Sequence, residues 1–503
     1  MGSRNKFFQS HEILPLAGLF VLALAVRLIK ISQPYVDSWS WRQTDVAMIA
    51  ENFYLHGFNI LYPQINWAGA SPGYVGTEFQ LVPFIASLLY IFFGVQDWIG
   101  RSVSVLFFAV SVPFFYFLVR KFLNETSSFV AAATYILAPL SIFSSRSFMP
   151  DMASLSFSIA GLYFFSESLE HRGDRKPLVA AAVAISLAIC VKLPAIMVGL
   201  PLTYMAWQQD GAKILFRRDL WAFAVLSLVF PLAWYSHAYF ISISHSPHHM
   251  FGSGGIAIEN LNWYMTIGYQ AVTSGLTPIL SAAMVIAVFL PPRAKFGRLF
   301  HWWLLAILFF MFVAGRGHRH PWYLLPAVAV AAGFVGEGCD ALSRARPANS
   351  KSVTILAVIF LSYLFYLSLV YIKPLYEPWG MPSFNAGTEL NRIAPRHSLV
   401  AVADGGDPTC LYYSKRKGWH FLEDFGSPPR DSQQAISELE RLKNDGAGYL
   451  VFVRDTFWWL DVYKDFERYL SSRYRRVRDT EEYIIFDLTV AKVDSGGAFL
   501  TPP

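Results

Sequence analysis

The sequence predicts an α-helical polytopic membrane protein, with about 11 transmembrane helices, interfacial helices in the first outer loop and a C-terminal soluble α/β domain. Of its 503 residues, 54% are hydrophobic and only 15% are charged, against ~25% charged in soluble domains. The mean hydropathy is +0.37. This composition excludes a soluble cytosolic protein, a disordered chain and a secreted disulfide scaffold. The net charge is +6, and the basic residues fall between apolar segments, as in a membrane protein with several spans. Their positions therefore predict membrane topology and no nucleic-acid partner.

The predicted spans are apolar segments separated by charged loops. A helix needs about 20 apolar residues to cross the hydrocarbon core, where unpaired backbone groups find no partner. The first segment covers residues 13–31, and no small-residue cleavage site follows it, so we interpret it as an uncleaved helix. The later segments begin near Ile99, Phe129, Met152, Leu178, Leu193, Leu220, Leu276, Trp302, Pro321 and Val353.

The positions of the basic residues predict the orientation. Lys and Arg cluster in alternate loops, near residues 120, 175, 217, 295 and 346. If these loops face the cytoplasm, the N-terminus is inside and the chain after the last span is outside. Residues 79–93 are apolar, but counting them as a span would invert every later loop. We therefore predict that they form a helix in the outer interface.

The composition changes after the last span, which predicts two domains. Residues 1–373 form the predicted transmembrane catalytic domain, with the first outer loop at 32–97. Residues 374–503 have ordinary charge density and form the predicted extracytoplasmic α/β domain. Its predicted strands are 397–404, 448–455 and 482–488, and its predicted helices are 431–444 and 461–473.

Carboxylates gather on the predicted outer side. The first outer loop contains Asp37, Asp45 and Glu78, which either converge on a substrate or simply face water from an amphipathic interfacial helix. Asp151 lies at the outer mouth of a span. An ionisable residue at membrane depth costs about 2.5–3.5 kcal/mol and is a functional candidate. Asp151 also suits a helix N-terminus, and the two roles are compatible.

Cationic residues occur on the same predicted side. They are Lys192, Arg316, His318, Arg319 and His320. Cations facing carboxylates at one membrane surface suit a phosphate-bearing substrate whose lipid tail stays in the bilayer. The cations would hold the phosphate, while a carboxylate performs acid–base chemistry.

Four segments together resemble the GT-C glycosyltransferases. They are residues 37–53, 76–79, 145–151 and 318–326. The most similar group is that of the bacterial relatives of protein O-mannosyltransferases and of the aminoarabinose transferase that modifies lipid A. The resemblance covers the layout of the membrane region and does not extend to the outer domain. It implies the GT-C fold.

The resemblance implies an inverting glycosyltransferase of the bacterial inner membrane, with its active site and C-terminal domain on the periplasmic side. Its donor would be a sugar on a polyprenyl phosphate such as undecaprenyl phosphate. Its acceptor would be an envelope glycolipid, a polysaccharide or a protein. In such enzymes a carboxylate of the first outer loop acts as base or, in some members, helps to hold a metal. The resemblance requires no cofactor and leaves a divalent cation open.

Site residues follow from the resemblance position by position. Better-known relatives carry Asp-Glu where this chain has Arg42-Gln43, so the base is Asp45 or Asp37. The resemblance makes Glu78 and Asp151 the further carboxylates of the site. It implies that Lys192, Arg316 and Arg319 bind the lipid phosphate. The other substrate-binding residues that it implies are His320 and Tyr323 nearby, His318, and the Arg42-Gln43 pair of the first outer loop.

Two other functions remain open from sequence. A polytopic transporter or flippase of lipid-linked sugars would also have many spans and membrane-level charges. Transporters usually show two related halves and helices broken near the midplane, whereas the candidate residues here lie at one surface. A non-catalytic assembly subunit is the third interpretation, against which the three carboxylates Asp45, Glu78 and Asp151 argue.

Overall fold

The computed structural model describes residues 10–251, 255–291, 294–314, 320–345, 350–421 and 427–491. These residues form two compact units. The first unit comprises the described parts of 1–32, 76–240 and 250–376, and the second comprises those of 33–75, 241–249 and 377–503. The first outer loop is divided between the two units. Most of it, residues 33–75, belongs to the same unit as the C-terminal domain.

The α-helices are, in chain order, α1 (Ser10–Leu28), α2 (Ser40–His56), α3 (Leu81–Phe93), α4 (Asp97–Arg120), α5 (Glu125–Leu137), α6 (Pro139–Ser144), α7 (Asp151–Glu170), α8 (Lys176–Val191), α9 (Gly199–Asp210), α10 (Arg218–Ser244), α11 (Leu261–Gln270), α12 (Pro278–Val288), α13 (Leu299–Val313), α14 (Leu325–Ala345), α15 (Ser350–Ile372), α16 (Met381–Ile393), α17 (Thr409–Ser414), α18 (Ser432–Asn444), α19 (Trp458–Val462) and α20 (Lys464–Arg473). The strands are β1 (Leu399–Ala403), β2 (Gly418–His420), β3 (Ala447–Val453), β4 (Tyr474–Asp479) and β5 (Tyr483–Ala491).

Several helices of the described chain are apolar enough to cross a membrane. Four pass by both length and composition: Asp97–Arg120, Arg218–Ser244, Pro321–Ala345 and Lys351–Ile393. The bent pair Leu261–Gly275 and Pro278–Val288 makes a fifth if it is one span, and four shorter apolar helices accompany them. These helices agree with the prediction of a multi-pass membrane protein. The predicted interfacial segment forms α3, whose 13 residues reach about 20 Å, less than the hydrocarbon thickness.

Helices α7 and α8 form a tightly packed antiparallel pair. A Cβ atom at Gly161 would lie 2.4 Å from the Ile185 side chain, so any other residue there would force Ile185 to shift. The Ser154 hydroxyl donates to the carbonyl of Ala188 at 2.9 Å and fixes the register. Because α7 begins at Asp151 and α8 ends just before Lys192, the pairing places these two residues at the same end.

The second unit contains a five-stranded sheet of order β2-β1-β3-β5-β4. Strands β2, β1 and β3 are parallel, while β5 is antiparallel to both β3 and β4. Its core contains Phe452 and Phe486 from the strands, and Leu439 and Phe466 from helices. The predicted strands correspond to β1, β3 and β5, and the predicted helices to α18 and to α19 with α20. The prediction missed β2 and β4.

Part of the first outer loop packs on this sheet at its β2 edge. The Gly69 amide donates to the Gly418 carbonyl at 2.7 Å, and the Gly418 amide donates to the Asn66 carbonyl at 2.9 Å. At the other end of the loop, the Gly380 amide donates to the Val36 carbonyl at 2.8 Å. These backbone bonds attach residues 33–75 to the C-terminal domain within one unit.

Candidate functional site

An ion pair joins the start of α7 to the end of α8 in the first unit. Lys192 Nζ lies 3.1 Å from Asp151 Oδ1, and both side chains are largely buried. Asp151 occupies the first turn of α7, where the helix dipole favours a negative charge. Lys192 follows α8 in an extended conformation, and Pro194 prevents the helix from continuing. Lys192 Nζ also lies 4.8 Å from the centre of the Tyr323 ring.

Glu78 is buried near the same end of α8. The Phe79 amide donates to the Cys190 carbonyl at 2.8 Å, two residues before Lys192. The Thr77 hydroxyl donates to Glu78 Oε2 at 2.8 Å, and the Trp234 indole donates to the Thr77 carbonyl at 2.9 Å. These bonds hold the segment with Glu78 against the last turn of α8.

A cleft opens beside the Asp151–Lys192 pair. Its polar lining includes this pair and Ser154, while Trp303 and Trp322 contribute to a mostly apolar remainder. His320 stacks on Trp322 with ring centres 4.3 Å apart. A mostly apolar cleft whose lining includes a cation suits an amphiphile that carries an anionic group.

Asp45 is buried in the second unit, on the middle of α2. The Trp67 indole donates to its Oδ1 at 3.3 Å, and the charge of Arg42 acts on it from one turn earlier. Burial raises the pKa of the Asp45 carboxyl to about 6, although Arg42, Trp67 and His420 oppose the rise. A carboxylate with such a pKa can accept a proton near neutral pH.

The C-terminal domain contributes a second polar group near Asp45. His420 Nδ1 lies 2.8 and 2.9 Å from the two carboxylate oxygens of Asp404. Burial by itself would lower the pKa of His420, but Asp404, with Asp45 and Asp407, raises it above the ordinary value. The Trp67 ring lies between the two groups, because it packs on the His420 ring at 5.4 Å and bonds to Asp45.

The structure divides the sequence-predicted residues between the two units. Asp37, Arg42, Gln43 and Asp45 lie together in the second unit, where the Gln43 amide donates to Asp37 at 2.5 Å. The first unit contains the remaining described members, which are Glu78, Asp151, Lys192, His320 and Tyr323. Arg316, His318 and Arg319 lie outside the described residues. Convergence of Asp45 with Glu78 and Asp151 stays a prediction.

Sequence reasoning missed the groups that the C-terminal domain brings to Asp45. Asp404, Asp407 and His420 were not predicted, and neither was Trp67. One signal was present: Asp404 directly follows a buried strand and Asp407 comes shortly after it. The carboxyl ends of parallel strands are common sites of function. His420 gave no comparable signal, since its strand has only three residues.

The described residues offer no group of three His, Cys, Asp or Glu side chains that could hold a metal ion. They therefore do not fit the divalent cation that the resemblance left open.

Comparison with known proteins relates half of the chain to other sequences. The family model described as dolichyl-phosphate-mannose-protein mannosyltransferase matches residues 80–237. An uncharacterized protein of Aquifex aeolicus (strain VF5) is 25% identical over 261 residues, which are 50% of this chain and 58% of that protein. The chain thus matches somewhat more than half the length of this relative.

Solved structures match almost the whole chain. ArnT from Cupriavidus metallidurans bound to undecaprenyl phosphate matches with a TM-score of 0.63 at 14% identity, over 95% of this chain and 98% of that one. The chain has the GT-C fold. The archaeal oligosaccharyltransferase AglB from Archaeoglobus fulgidus, in complex with an inhibitory peptide and a dolichol-phosphate, matches with a TM-score of 0.60 at 11% identity. That match covers 94% of this chain and 74% of AglB.

The GT-C fold confirms the resemblance and the fold class predicted from the sequence. The family-model match begins at Gln80, just before α3, and ends within α10. It therefore includes Asp151 and Lys192, whereas Asp45 and the C-terminal domain lie outside it. The helical architecture and the fold together identify a multi-pass membrane protein.

Proposed function

We propose that this GT-C protein transfers a sugar from a polyprenyl-phosphate donor to a hydroxyl of an envelope glycolipid, polysaccharide or protein. The observation that carries the proposal is the Asp151–Lys192 pair in the lining of a mostly apolar cleft. The ammonium group would bind the donor phosphate, and the apolar lining would bind the first isoprene units. The lipid phosphates in the ArnT and AglB structures support this class of donor.

In the proposed reaction, the acceptor hydroxyl attacks the anomeric carbon from the face opposite the phosphate. The bond between this carbon and the phosphate oxygen breaks, and the sugar inverts its configuration. Asp45 takes the hydroxyl proton, while Lys192 stabilises the charge on the departing lipid phosphate. Glu78 and Asp151 orient the polar groups around Lys192.

We further propose that the reaction takes place on the outer face of the bacterial inner membrane. The alternation of basic loops supports this orientation. Nucleotide sugars are absent outside the cell, whereas a lipid-linked sugar can serve as the donor there.

The test is sugar transfer by the purified protein from polyprenyl-phosphate sugars, with Lys192→Met as the variant. The loss of the ammonium group should raise the donor KM at least tenfold, since a charged hydrogen bond contributes about 1.5–3 kcal/mol. Lys121→Met is a matched control, because Lys121 also pairs with acids, Glu167 and Glu170, and lies 5.7 Å from a tyrosine ring centre.

Two results would contradict the proposal. An unchanged donor KM in K192M would remove Lys192 from the phosphate site. Movement of the intact lipid-linked sugar across proteoliposome membranes, without release of the sugar, would instead support a flippase.

A further inference from the structure

Four groups from distant parts of the chain, Asp45 among them, meet in the second unit. Asp45 comes from α2 and Trp67 from the first outer loop, whereas Asp404 and His420 come from the C-terminal sheet. The Asp404 side chain is fully buried and that of His420 is 11% exposed. Burying an ion pair costs desolvation energy, so the placement of this pair beside the proposed base calls for an explanation.

The position of His420 is fixed from two directions. Asp404 at the end of β1 holds the imidazole through both carboxylate oxygens and also accepts the Gly406 amide at 2.9 Å. On the other side, the His420 ring packs against Trp67. Such a histidine presents its second ring nitrogen in one direction only.

Strand β2, which carries His420, also fixes the position of Trp67. Its neighbours Asn66 and Gly69 exchange backbone hydrogen bonds with Gly418, two residues before His420. The Trp67 indole, whose nitrogen donates to Asp45, is therefore positioned by the strand that carries His420. A change in the C-terminal domain would be transmitted to Asp45 through this contact.

We propose that Asp404 and His420 are positioning residues for the base Asp45, so that the C-terminal domain is part of the catalytic machinery and sets the pH range of the reaction. The inference rests on the proposed function. The Asp404 carboxylate raises the pKa of His420 against the effect of burial, and the imidazolium form favours the ionised form of Asp45.

The charges around Asp45 determine the direction in which each substitution should shift the pH profile. Burial raises the pKa of the Asp45 carboxyl, Arg42 and His420 lower it, and Asp407 raises it. A second histidine, His249, packs on the Trp67 ring at 5.4 Å, and burial with the charges of Arg42 and His420 lowers its pKa to about 4. Asp407 lies near α2, with its Oδ2 3.4 Å from the Ser40 hydroxyl. Because the base must be ionised, the rate should be full above about pH 6 and should fall as the pH decreases through that value.

The experiment is the pH dependence of kcat in full-length protein with a polyprenyl-phosphate sugar. His420→Gln should move the acid limb of the profile upward by roughly one pH unit, the lower end of the effect of a neighbouring charge. Asp407→Asn should move it downward, because a negative charge is removed. The donor KM should stay unchanged in both. His397→Gln is the control, since this histidine is exposed on the same domain.

If the role of His420 were merely structural, H420Q would reduce the rate equally at every pH. An acid limb of the kcat profile that stays at the wild-type pH in H420Q would therefore overturn the inference. If H420Q does not fold, Asp404→Asn decides, because it keeps the side-chain shape and removes only the charge. The acid limb of the D404N profile should move to higher pH, by less than that of H420Q. An acid limb at the wild-type pH would again overturn the inference. Absence of transfer by the wild-type protein would instead refute the proposed function itself.

Discussion

Asp45 shows how a buried environment prepares a carboxylate for proton transfer. Its burial disfavours the charged form, while Arg42 and the Trp67 indole favour it. The balance places the pKa near 6, where the group is mostly ionised at neutral pH and still basic enough to accept a proton. Asp37, the alternative base, has a different environment, because its carboxylate accepts a hydrogen bond from Gln43.

Asp45→Asn should abolish transfer, with a loss of kcat of about 10²–10⁴-fold, because an amide cannot take the hydroxyl proton. Folding should be preserved, since the amide oxygen can still accept the Trp67 hydrogen bond. The measurement is single-turnover sugar transfer, with thermal unfolding as the check on folding.

Asp37→Asn is the companion variant and should keep most of the activity. Full activity in D45N together with loss in D37N would transfer the role of base to Asp37.

At the scale of elements, the sequence predicted those with a strong local pattern. Strand β3 is a continuous apolar run, and helix α18 has clear apolar periodicity. Asp431 caps α18 by accepting the backbone N–H of Gln434. Strand β2 has three residues and forms the edge of the sheet, so no local pattern marks it. Its pairing with residues 66–69 joins segments about 350 residues apart, which periodicity cannot reveal.

The contact between the loop and β2 requires glycine at position 69. Gly69 has a φ of +63°, and a Cβ atom there would lie 2.3 Å from the Trp419 ring. Gly69→Ala should therefore destabilise the protein through both backbone strain and overpacking, by about 2–4 kcal/mol in total. The measurement is the thermal unfolding midpoint.

Gly57→Ala separates these two effects. Gly57 has a φ of +98° but open space around its Cβ position, so G57A should lose only the backbone part, about 1–2 kcal/mol. Equal midpoints for the two variants would show that the Trp419 contact contributes nothing.

At the scale of the whole molecule, composition predicted the class of protein and the order of the motifs predicted the fold. Fifteen per cent charged residues already required a membrane, and the ordered set of outer-side segments indicated the GT-C architecture. The pairing of Asp151 with Lys192 could be anticipated only as a shared side of the membrane. Its geometry depends on the register of α7 and α8, which Gly161 and Ser154 fix through tertiary contacts.

The orientation of the chain can be tested by cysteine labelling in intact cells. The three native cysteines are buried, so they should give little background. His397→Cys, on the C-terminal domain, should react with a membrane-impermeant maleimide. Arg172→Cys, between α7 and α8, should react only after permeabilisation. The reverse pattern would invert the proposed topology.

The most direct test of the central claim is a cryo-EM structure of the protein with undecaprenyl phosphate bound. The account predicts a phosphate oxygen within hydrogen-bonding distance of Lys192 Nζ, with the isoprenoid chain in the cleft lined by Trp303 and Trp322. A phosphate bound at another surface, with the Asp151–Lys192 ion pair unchanged and the cleft empty of lipid, would contradict it.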